Sequence, residues 1–416
     1  MLKKSEYQFD QYLFWVFAFA IPFLPLAKIL VSILVGLFII ERIVFFSSAK
    51  RFPFSISKKY IYLSILPMLF FVMHLMGMLY TDNIQEGWMD IESKFLFFIF
   101  PLVFLFYAPI CKNDFFKILN FFIGGCFIIC FYLLMVSIQQ FLSTKNSYYL
   151  FYSGLSKFHH PSYLSMYLNW CIVILIYFLF ENLYEKLRSV FVFLLIFFAF
   201  FILLLESKTG IAILGIIIIT SIAICFVFKK YKTAILISLF MCLGFVAYMV
   251  CIPQKSNRIL LAIKDVSSQN NKQENSTTSR FIIWENAISI LNNNWLLGKG
   301  TGDVNQALEE AYKQKSDGNL KTAIQQNFNA HNQYLQTMIA LGLIGEFILL
   351  ACLFIPLYIS IKQRDYIYIS FILLMAINLF SESMLERQAG IVFFTFFYLL
   401  LLKFNMLGNT YKIEVE

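Results

Sequence analysis

Long, continuous apolar runs constrain this chain more than any other feature of its sequence. The run 211–228, for example, carries no charged residue. A membrane-crossing helix needs about 20 largely apolar residues, whereas the strands of a membrane barrel alternate apolar and polar positions. Because these runs are unbroken, they predict membrane-spanning helices.

The composition excludes several classes of protein. Of the 416 residues, 60% are hydrophobic and only 14% are charged, whereas a soluble domain has about 45–50% apolar and about 25% charged residues. A water-soluble enzyme, a disordered chain and a nucleic-acid binder are therefore excluded. The net charge of +9 suits a membrane protein, whose Lys and Arg residues concentrate in cytoplasmic loops.

The predicted fold class is all-α, a polytopic membrane helical bundle of about 12 transmembrane helices with one long, partly helical outer loop. Windows of about 20 residues place the spans near 11–27, 29–46, 61–79, 95–110, 116–137, 163–180, 189–205, 210–228, 233–252, 335–360, 366–380 and 389–403. The chain then divides into three regions. These are spans one to nine (1–252), the long loop (253–334), and the last three spans with a short tail (335–416).

The distribution of positive charge predicts the orientation in the membrane. With a cytoplasmic N-terminus, the cytoplasmic loops hold 17 of the 33 Lys and Arg residues, and the short outer loops hold six. Long loops do not count in this rule. We therefore expect a multi-pass protein of the plasma membrane with both termini in the cytoplasm and the long loop outside. No cleavable signal peptide is evident.

Helical periodicity recurs inside the long loop. Residues 264–279 are polar and rich in Asn and Ser, and are predicted to be a mobile segment. Apolar residues then follow at steps of three and four, which predicts a helix with one apolar stripe, formed by Phe281, Trp284, Ile288, Leu291 and Trp295. Tryptophans near both ends suit a helix in the membrane interface. An ordinary packed helix in a small extracytoplasmic domain is the alternative.

A glycine-rich segment, Gly298-Lys-Gly300-Thr-Gly302, follows this helix. Its backbone N–H groups could approach a phosphate, but no strand precedes it, so the pattern of a nucleotide site is not met. A tight turn between two helices is the favoured interpretation, with a second helix near 303–315. No Cys/His cluster and no Asp-x-Asp pair offers ligands for a metal, so we expect no metal and no cofactor.

The start of the tenth span carries the residues of greatest chemical interest. His331 lies at the N-terminus of the predicted helix, where exposed N–H groups favour anions. His331 and Gly342 are eleven residues apart, close to three helical turns, and so share a face. Gly342 and Gly345 would allow a neighbouring helix to approach closely. The residues alone leave two roles for His331 open, a proton acceptor or a polar residue that caps the helix.

This segment resembles the signature of the O-antigen ligase family, in which His is followed by Asn, Ser or Gln, nine residues, Gly, two residues and Gly. The matching residues are His331, Asn332, Gly342 and Gly345. About twelve spans, a long outer loop before the motif, Arg280 ahead of an aromatic helix, and the Gly298–Gly302 turn also resemble the family. The resemblance covers the whole chain in topology and about 280–345 in specific motifs.

The resemblance implies a glycan transferase of the cell envelope. In that family, which includes lipopolysaccharide O-antigen ligases and O-antigen or capsule polymerases, the donor is a glycan on undecaprenyl diphosphate. An acceptor hydroxyl, such as one on lipid A–core, displaces the lipid diphosphate with inversion and without a metal. The expected partners are therefore the bilayer, the lipid-linked glycan and a glycan acceptor, and not nucleic acid.

The resemblance also implies roles for individual residues. His331 would orient or deprotonate the acceptor, and Arg280 would bind the diphosphate, since guanidinium offers two donors to phosphate oxygens. Lys208 occupies a position where the family typically has Arg, and it keeps the charge but loses the paired donors. Lys94 resembles another basic family position. For both lysines an ordinary Lys at a helix end is the alternative.

Other residues are weaker candidates. Asn332 and Tyr334 are predicted to shape the pocket, and His160 resembles a family position that borders the cavity, although a loop histidine before a helix-starting proline is the favoured alternative. Glu382 and Glu386 could orient an acceptor sugar or pair with Lys208, but pairing with Arg387 or plain solvation is favoured.

Three functions remain open from the sequence. The favoured one is transfer of an O-antigen-like glycan to lipid A–core. A polymerase that uses the same donor has the same sequence features. A polysaccharide or lipid transporter is the alternative from another class. It is disfavoured because ionisable residues lie mainly outside the spans, whereas transporters often place them near mid-membrane.

Overall fold

The computed structural model of the chain describes residues 4–26, 28–48, 58–107, 110–227, 276–314 and 329–407. Every regular element in these ranges is helical, which confirms the all-α class. Seven of the described helices are long and apolar enough to cross a membrane. They are Lys58–Tyr80, Lys112–Thr144, Pro161–Phe180, Glu185–Leu204, Lys208–Val227, Gln333–Gln363 and Gln388–Asn405.

The described ranges contain fifteen α-helices. In chain order they are α1 (Lys4–Ala20), α2 (Lys28–Ser48), α3 (Lys58–Gly77), α4 (Ile84–Lys94), α5 (Leu96–Phe106), α6 (Lys112–Thr144), α7 (Tyr152–Leu155), α8 (Pro161–Phe180), α9 (Arg188–Leu204), α10 (Lys208–Val227), α11 (Ser276–Asn294), α12 (Val304–Gln314), α13 (Gln333–Gln363), α14 (Tyr366–Ser381) and α15 (Gln388–Leu407).

Eleven of the twelve predicted spans overlap described helices, and the span predicted at 233–252 lies outside the described residues. The span predicted at 95–110 is shorter than expected. Helix α5 has eleven residues, about 16 Å of helix, and cannot alone cross a hydrocarbon core of about 30 Å. It ends because Tyr107 adopts an extended conformation. The total of twelve spans therefore stays a prediction.

Both helices predicted in the long loop are present as α11 and α12, and the Gly298–Gly302 turn joins them. This confirms the turn between two helices. Helix α11 begins at Ser276, so residues 276–279 of the predicted mobile segment are helical. Ser and Thr are favoured where helices begin, and these residues form the first turn. Residues 264–275 lie outside the described part of the chain.

The chain forms two compact units, 1–122 with 274–416 and 123–273. Aromatic rings fill the core of the first unit: Phe14 contacts the rings of Phe38 and Phe104, each at 5.1 Å between centroids. Lys403, buried in α15, donates to the backbone carbonyl of Phe104 and to that of Tyr107 at 2.6 Å. This ammonium supplies donors to carbonyls at the end of α5 that lack a partner within the helix.

In the second unit, the turn that contains Lys208 is packed against α8. Asn169 Nδ2 donates to the carbonyl of Gly210 at 3.0 Å. A Cβ at Gly210 would lie 2.5 Å from the Cβ of Ser165, so only glycine permits this approach. The sequence Glu206–Gly210 therefore sets the start of α10 against α8, with Lys208 as the first residue of α10.

Helix α13 is interrupted at Gly342, whose φ of 62° and ψ of −159° are not helical. This conformation is essentially restricted to glycine. A Cβ at Gly342 would lie 2.3 Å from the carbonyl of Leu296. The close approach at Gly342 is therefore made by the segment after α11. The prediction that His331 and Gly342 share a face of one regular helix is therefore wrong, because the helix is broken at Gly342.

The segment after α11 pairs with the backbone groups that the break in α13 sets free. Gly298, with φ of 77°, lies against Ala340, where a Cβ would meet the backbone at 2.5 Å. Three backbone hydrogen bonds join the two segments: Lys299 N to Ile339 O at 2.7 Å, Gly300 N to Ala340 O at 3.0 Å, and Leu343 N to Trp295 O at 2.8 Å.

Gly345 has a different role. The atoms nearest to a Cβ at Gly345 would be those of the Leu341 side chain, the closest at 2.3 Å. Leu341 belongs to the preceding turn of the same helix, so Gly345 makes room for α13 itself. That a neighbouring helix also approaches Gly345 stays a prediction.

We expect Gly342→Ala to destabilise the protein by more than about 3 kcal/mol. Alanine in this backbone conformation costs about 1–3 kcal/mol, and its Cβ would also overlap with the Leu296 carbonyl. Thermal unfolding of the purified protein in detergent measures the loss. Gly124→Ala is the control: a Cβ there meets nothing within 4 Å, and alanine favours the helix by about 1 kcal/mol. Equal melting temperatures for the two variants would contradict the proposed role of Gly342.

Candidate active site

The N-terminus of α13 is fixed by Asn332. Its extended backbone precedes the first helical residue, and Asn332 Oδ1 accepts from Tyr334 N at 2.9 Å and Leu335 N at 3.2 Å. His331 precedes this cap with φ of 45°, a left-handed conformation that is uncommon outside glycine, although His adopts it more often than most residues. His331 therefore lies outside the helix, immediately before its first turn.

A single carboxylate, Glu382, joins the two residues that the sequence analysis ranked first. Glu382 Oε1 lies 2.5 Å from His331 Nδ1, and Glu382 Oε2 accepts from an Arg280 guanidinium nitrogen at 3.0 Å. Glu382 follows α14 directly, His331 precedes α13, and Arg280 lies in the second turn of α11. Three elements that are remote in sequence therefore converge on one carboxylate.

Burial makes these contacts chemically significant. The side chain of Glu382 is 8% exposed, that of His331 21% and that of Arg280 30%. An ionised carboxylate only accepts hydrogen bonds, so a contact with His331 Nδ1 requires a proton on that nitrogen. In the neutral ring, Nε2 then carries the lone pair. The arrangement presents a proton acceptor and a guanidinium on either side of one carboxylate.

Trp284 anchors helix α11 one turn after Arg280. The Trp284 Nε1–H donates to the carbonyl of Ala330 at 3.1 Å, and the Trp284 ring contacts that of Phe380 at 5.3 Å between centroids. Ala330 is adjacent to His331 in the chain, and Phe380 lies near the end of α14. The aromatic residue four positions after Arg280 thus fixes the helix that carries the guanidinium.

A second group of charged residues lies at the same loop. Lys94 Nζ contacts Glu386 Oε2 at 2.6 Å and Asp90 Oδ2 at 3.0 Å. Glu386 Oε1 accepts from Gln333 Nε2 at 2.8 Å. The Lys94 side chain is fully buried, and that of Glu386 is 13% exposed. Lys94 is thus surrounded by carboxylates.

The protonation of this group follows from its surroundings. Burial disfavours the ammonium of Lys94, but the negative charges of Glu386 and Asp90 outweigh that effect and raise its pKa above the ordinary value for lysine. Burial raises the pKa of Asp90, with Lys94 acting in the opposite direction. Lys94 is therefore a cation that its neighbours already neutralise.

The remaining predicted residues occupy other positions. Tyr334 donates its hydroxyl to the carbonyl of Ala376 at 3.0 Å. His160 caps the start of α8, where its Nδ1 accepts from Ser162 N at 3.4 Å. His160 and Lys208 belong to the second unit, and their functional roles stay predictions. No group of three or more His, Cys, Asp or Glu side chains in the described ranges could hold a metal ion.

The contacts of Glu382 and Glu386 differ from those that the sequence predicts. The sequence favours pairing with Arg387 or plain solvation for both carboxylates. The structure instead pairs Glu382 with His331 and Arg280, and Glu386 with Lys94. One signal was available: Ser381–Glu386 is a short polar turn between two apolar spans and holds two carboxylates. It was predicted to lie on the same side of the membrane as His331.

Comparison with known proteins agrees with the resemblance. Residues 191–350 match the family model described as O-antigen ligase. This range includes Lys208, Arg280, His331 and the glycines of α13, but ends before α14. No individually curated protein matches the chain significantly.

This match confirms the family resemblance over residues 191–350. The chain is a multi-pass membrane protein with several apolar helices. Lys94, Glu382 and Glu386 lie outside the matched range, so parts of the chain beyond the family model complete the site around His331.

We expect Asn332→Ala to lower the free energy of unfolding by about 0.5–2 kcal/mol, because two N–H groups of α13 lose their acceptor. Asn332→Asp keeps the acceptor and should unfold at nearly the wild-type temperature. Thermal unfolding of both purified variants measures the difference. An aspartate variant as unstable as the alanine variant would contradict the capping role of Asn332.

Proposed function

We propose that this protein is an inverting glycan transferase of the plasma membrane. Glycan transfer of the O-antigen ligase kind is supported by the family match over residues 191–350. The donor, a glycan on undecaprenyl diphosphate, and the acceptor, a hydroxyl of lipid A–core, are part of the proposal. The observation that carries it is the bridge from His331 through Glu382 to Arg280, which sets a proton acceptor beside a phosphate-binding cation.

On the acceptor side, His331 Nε2 takes the proton of the attacking hydroxyl. The hydroxyl oxygen forms a bond to the anomeric carbon of the donor, and the bond from that carbon to the diphosphate oxygen breaks. Undecaprenyl diphosphate leaves with the electron pair. One displacement of this kind inverts the anomeric configuration, and general-base assistance typically contributes about 10²–10⁴-fold to a rate.

On the donor side, Arg280 stabilises the diphosphate as it leaves. The guanidinium has five N–H donors in a planar fork, and Glu382 accepts from one of its nitrogens. The others can bind phosphate oxygens in pairs. Negative charge grows on the diphosphate as the bond breaks, and a fixed cation in a poorly hydrated site stabilises it strongly.

Other residues of the proposal have weaker support. For Lys208 and His160, the family positions alone support roles in binding the donor. Asn332 and Tyr334 would shape the acceptor side. The contacts of Lys94 with Glu386 and Asp90 favour a structural role over a phosphate contact. The reaction as proposed uses no metal and no cofactor.

We further propose that the site faces the outer side of the plasma membrane. It lies where α14 ends and where α13 and α15 begin. The distribution of Lys and Arg among the predicted loops supports an outward orientation for that end of the helices and a cytoplasmic location for both termini. Undecaprenyl chains would lie among the apolar helices, with α11 at the membrane interface.

A polymerase of lipid-linked repeats is the second candidate, because it needs the same donor site and differs only in the acceptor. A deletion strain separates the two. If the deletion strain has lipid A without attached glycan and accumulates long lipid-linked chains, the protein is a ligase. If its lipid A carries no more than a single repeat, the protein is a polymerase. Flipping of lipid-linked glycan by the reconstituted protein, without covalent transfer, would instead indicate a transporter.

We expect His331→Ala and Arg280→Ala each to lower glycan transfer by at least about 10²-fold, because they remove the proton acceptor and the diphosphate cation. Transfer from a synthetic undecaprenyl-diphosphate glycan to lipid A–core measures the rate. Lys362→Ala, exposed at the other end of α13, is the control and should transfer at the wild-type rate. Wild-type transfer by purified His331→Ala would refute the proposal.

We expect Glu382→Gln to lower kcat by about 10²–10⁴-fold, the usual contribution of general acid–base catalysis, because an amide beside a catalytic histidine favours the wrong tautomer. The amide can donate to Nδ1, which places the ring proton on Nε2 and removes the acceptor. Glu382→Asp keeps a carboxylate and should be less impaired. Equal losses in the two variants, with unchanged thermal stability, would contradict the role of the charge.

A further inference from the structure

We infer that Lys94, Glu386 and Gln333 form a positioning unit for the loop that carries Glu382, and that Lys94 acts through Glu386. Lys94 is therefore a positioning residue in this inference, and the diphosphate is bound by other cations. The kinetic part of the inference rests on the proposed function, whereas its structural part does not.

The surroundings of Lys94 argue against a direct contact with substrate. An ammonium has three N–H donors, and Lys94 Nζ has one carboxylate at 2.6 Å and a second at 3.0 Å. Its side chain has no exposed surface. A diphosphate at Lys94 would have to approach a fully enclosed ammonium beside Glu386 and Asp90, two groups that repel it.

Glu386 connects this lysine to the start of α13. Its two carboxylate oxygens have different partners: Oε2 binds Lys94, and Oε1 accepts from Gln333 Nε2 at 2.8 Å. Lys94 is the last residue of α4, and Gln333 is the first residue of α13. A carboxylate in the loop after α14 therefore holds two other helices at once.

Gln333 fixes the same loop through its backbone. Its Oε1 accepts from Leu385 N at 2.7 Å, while its Nε2 donates to Glu386. On the other side of the loop, Asn332 N donates to Ser383 Oγ at 3.2 Å. Ser383 directly follows Glu382 in the chain, and Asn332 directly follows His331. The hydrogen bond between Asn332 and Ser383 therefore helps to hold Glu382 and His331 next to each other.

The charge balance of this unit makes the inference testable. Removing Lys94 leaves Glu386, whose side chain is 13% exposed, as a buried charge without its cation, whereas replacing both members of a buried pair with neutral groups of similar size is often well tolerated. Asp90, the other partner of Lys94, is 33% exposed and stays partly hydrated without the lysine. If Lys94 acts through Glu386, a variant neutral at both positions should recover most of what Lys94→Met loses. A lysine that binds diphosphate would allow no such recovery.

The experiment compares Lys94→Met, Glu386→Gln and the double variant in the full-length protein. We expect Lys94→Met to lower the melting temperature and to lower kcat about tenfold or more, with the KM for lipid-linked glycan within about threefold of wild type. Glu386→Gln leaves Lys94 paired with Asp90, so its losses should be smaller. The double variant should return to within about threefold of the wild-type kcat. Lys313→Met, which alters an exposed pair with Glu309, is the matched control and should change neither quantity.

Two outcomes overturn the inference. A raised KM for the donor in Lys94→Met, with no recovery in the double variant, would show that Lys94 contacts the diphosphate. Recovery of the melting temperature without any effect on kcat would show an ion pair that does not position the site. Failure of the proposed function gives a different result, because His331→Ala would then transfer normally whatever these three variants do. If Lys94→Met does not fold, Glu386→Gln and the double variant still make the comparison.

Discussion

The site depends on one carboxylate that is shared by an imidazole and a guanidinium. Glu382 binds His331 at 2.5 Å and Arg280 at 3.0 Å, and the Glu382 side chain is only 8% exposed. Because the two bonds use different oxygens of one rigid group, the separation of the imidazole from the guanidinium is fixed. A proton acceptor and a cation held on one carboxylate support the proposed transfer from a lipid diphosphate.

The backbone around this carboxylate is held by features that only particular residues permit. The break at Gly342 allows the segment after α11 to pair with α13, and Gly298 permits the same approach from the other side. Trp284 joins α11 to Ala330, next to His331. Helix α11, which carries Arg280, is thus linked to the segment of His331 near its start and to α13 after its end. Glycines outside the site in this way help to determine where His331 and Arg280, the proposed catalytic residues, lie.

Much of the fold follows from the sequence, because length and apolar periodicity are local properties. The apolar runs indicated the spans, and the stripe from Phe281 to Trp295 indicated α11. The signature around His331 indicated the family. The contacts of Glu382 and Glu386 could not be predicted from the sequence, because their partners are between 51 and 292 positions away in the chain. The non-helical conformation of Gly342 also depends on a tertiary contact, with the Leu296 carbonyl.

The most direct test of this account follows the anomeric carbon itself. The purified wild-type protein is incubated with a synthetic undecaprenyl-diphosphate glycan of known anomeric configuration and with lipid A–core, and NMR determines the configuration of the new linkage. We predict a covalent product whose anomeric configuration is opposite to that of the donor. Retention of configuration, or movement of the lipid-linked glycan across the membrane without a new glycosidic bond, would contradict a single displacement assisted by His331.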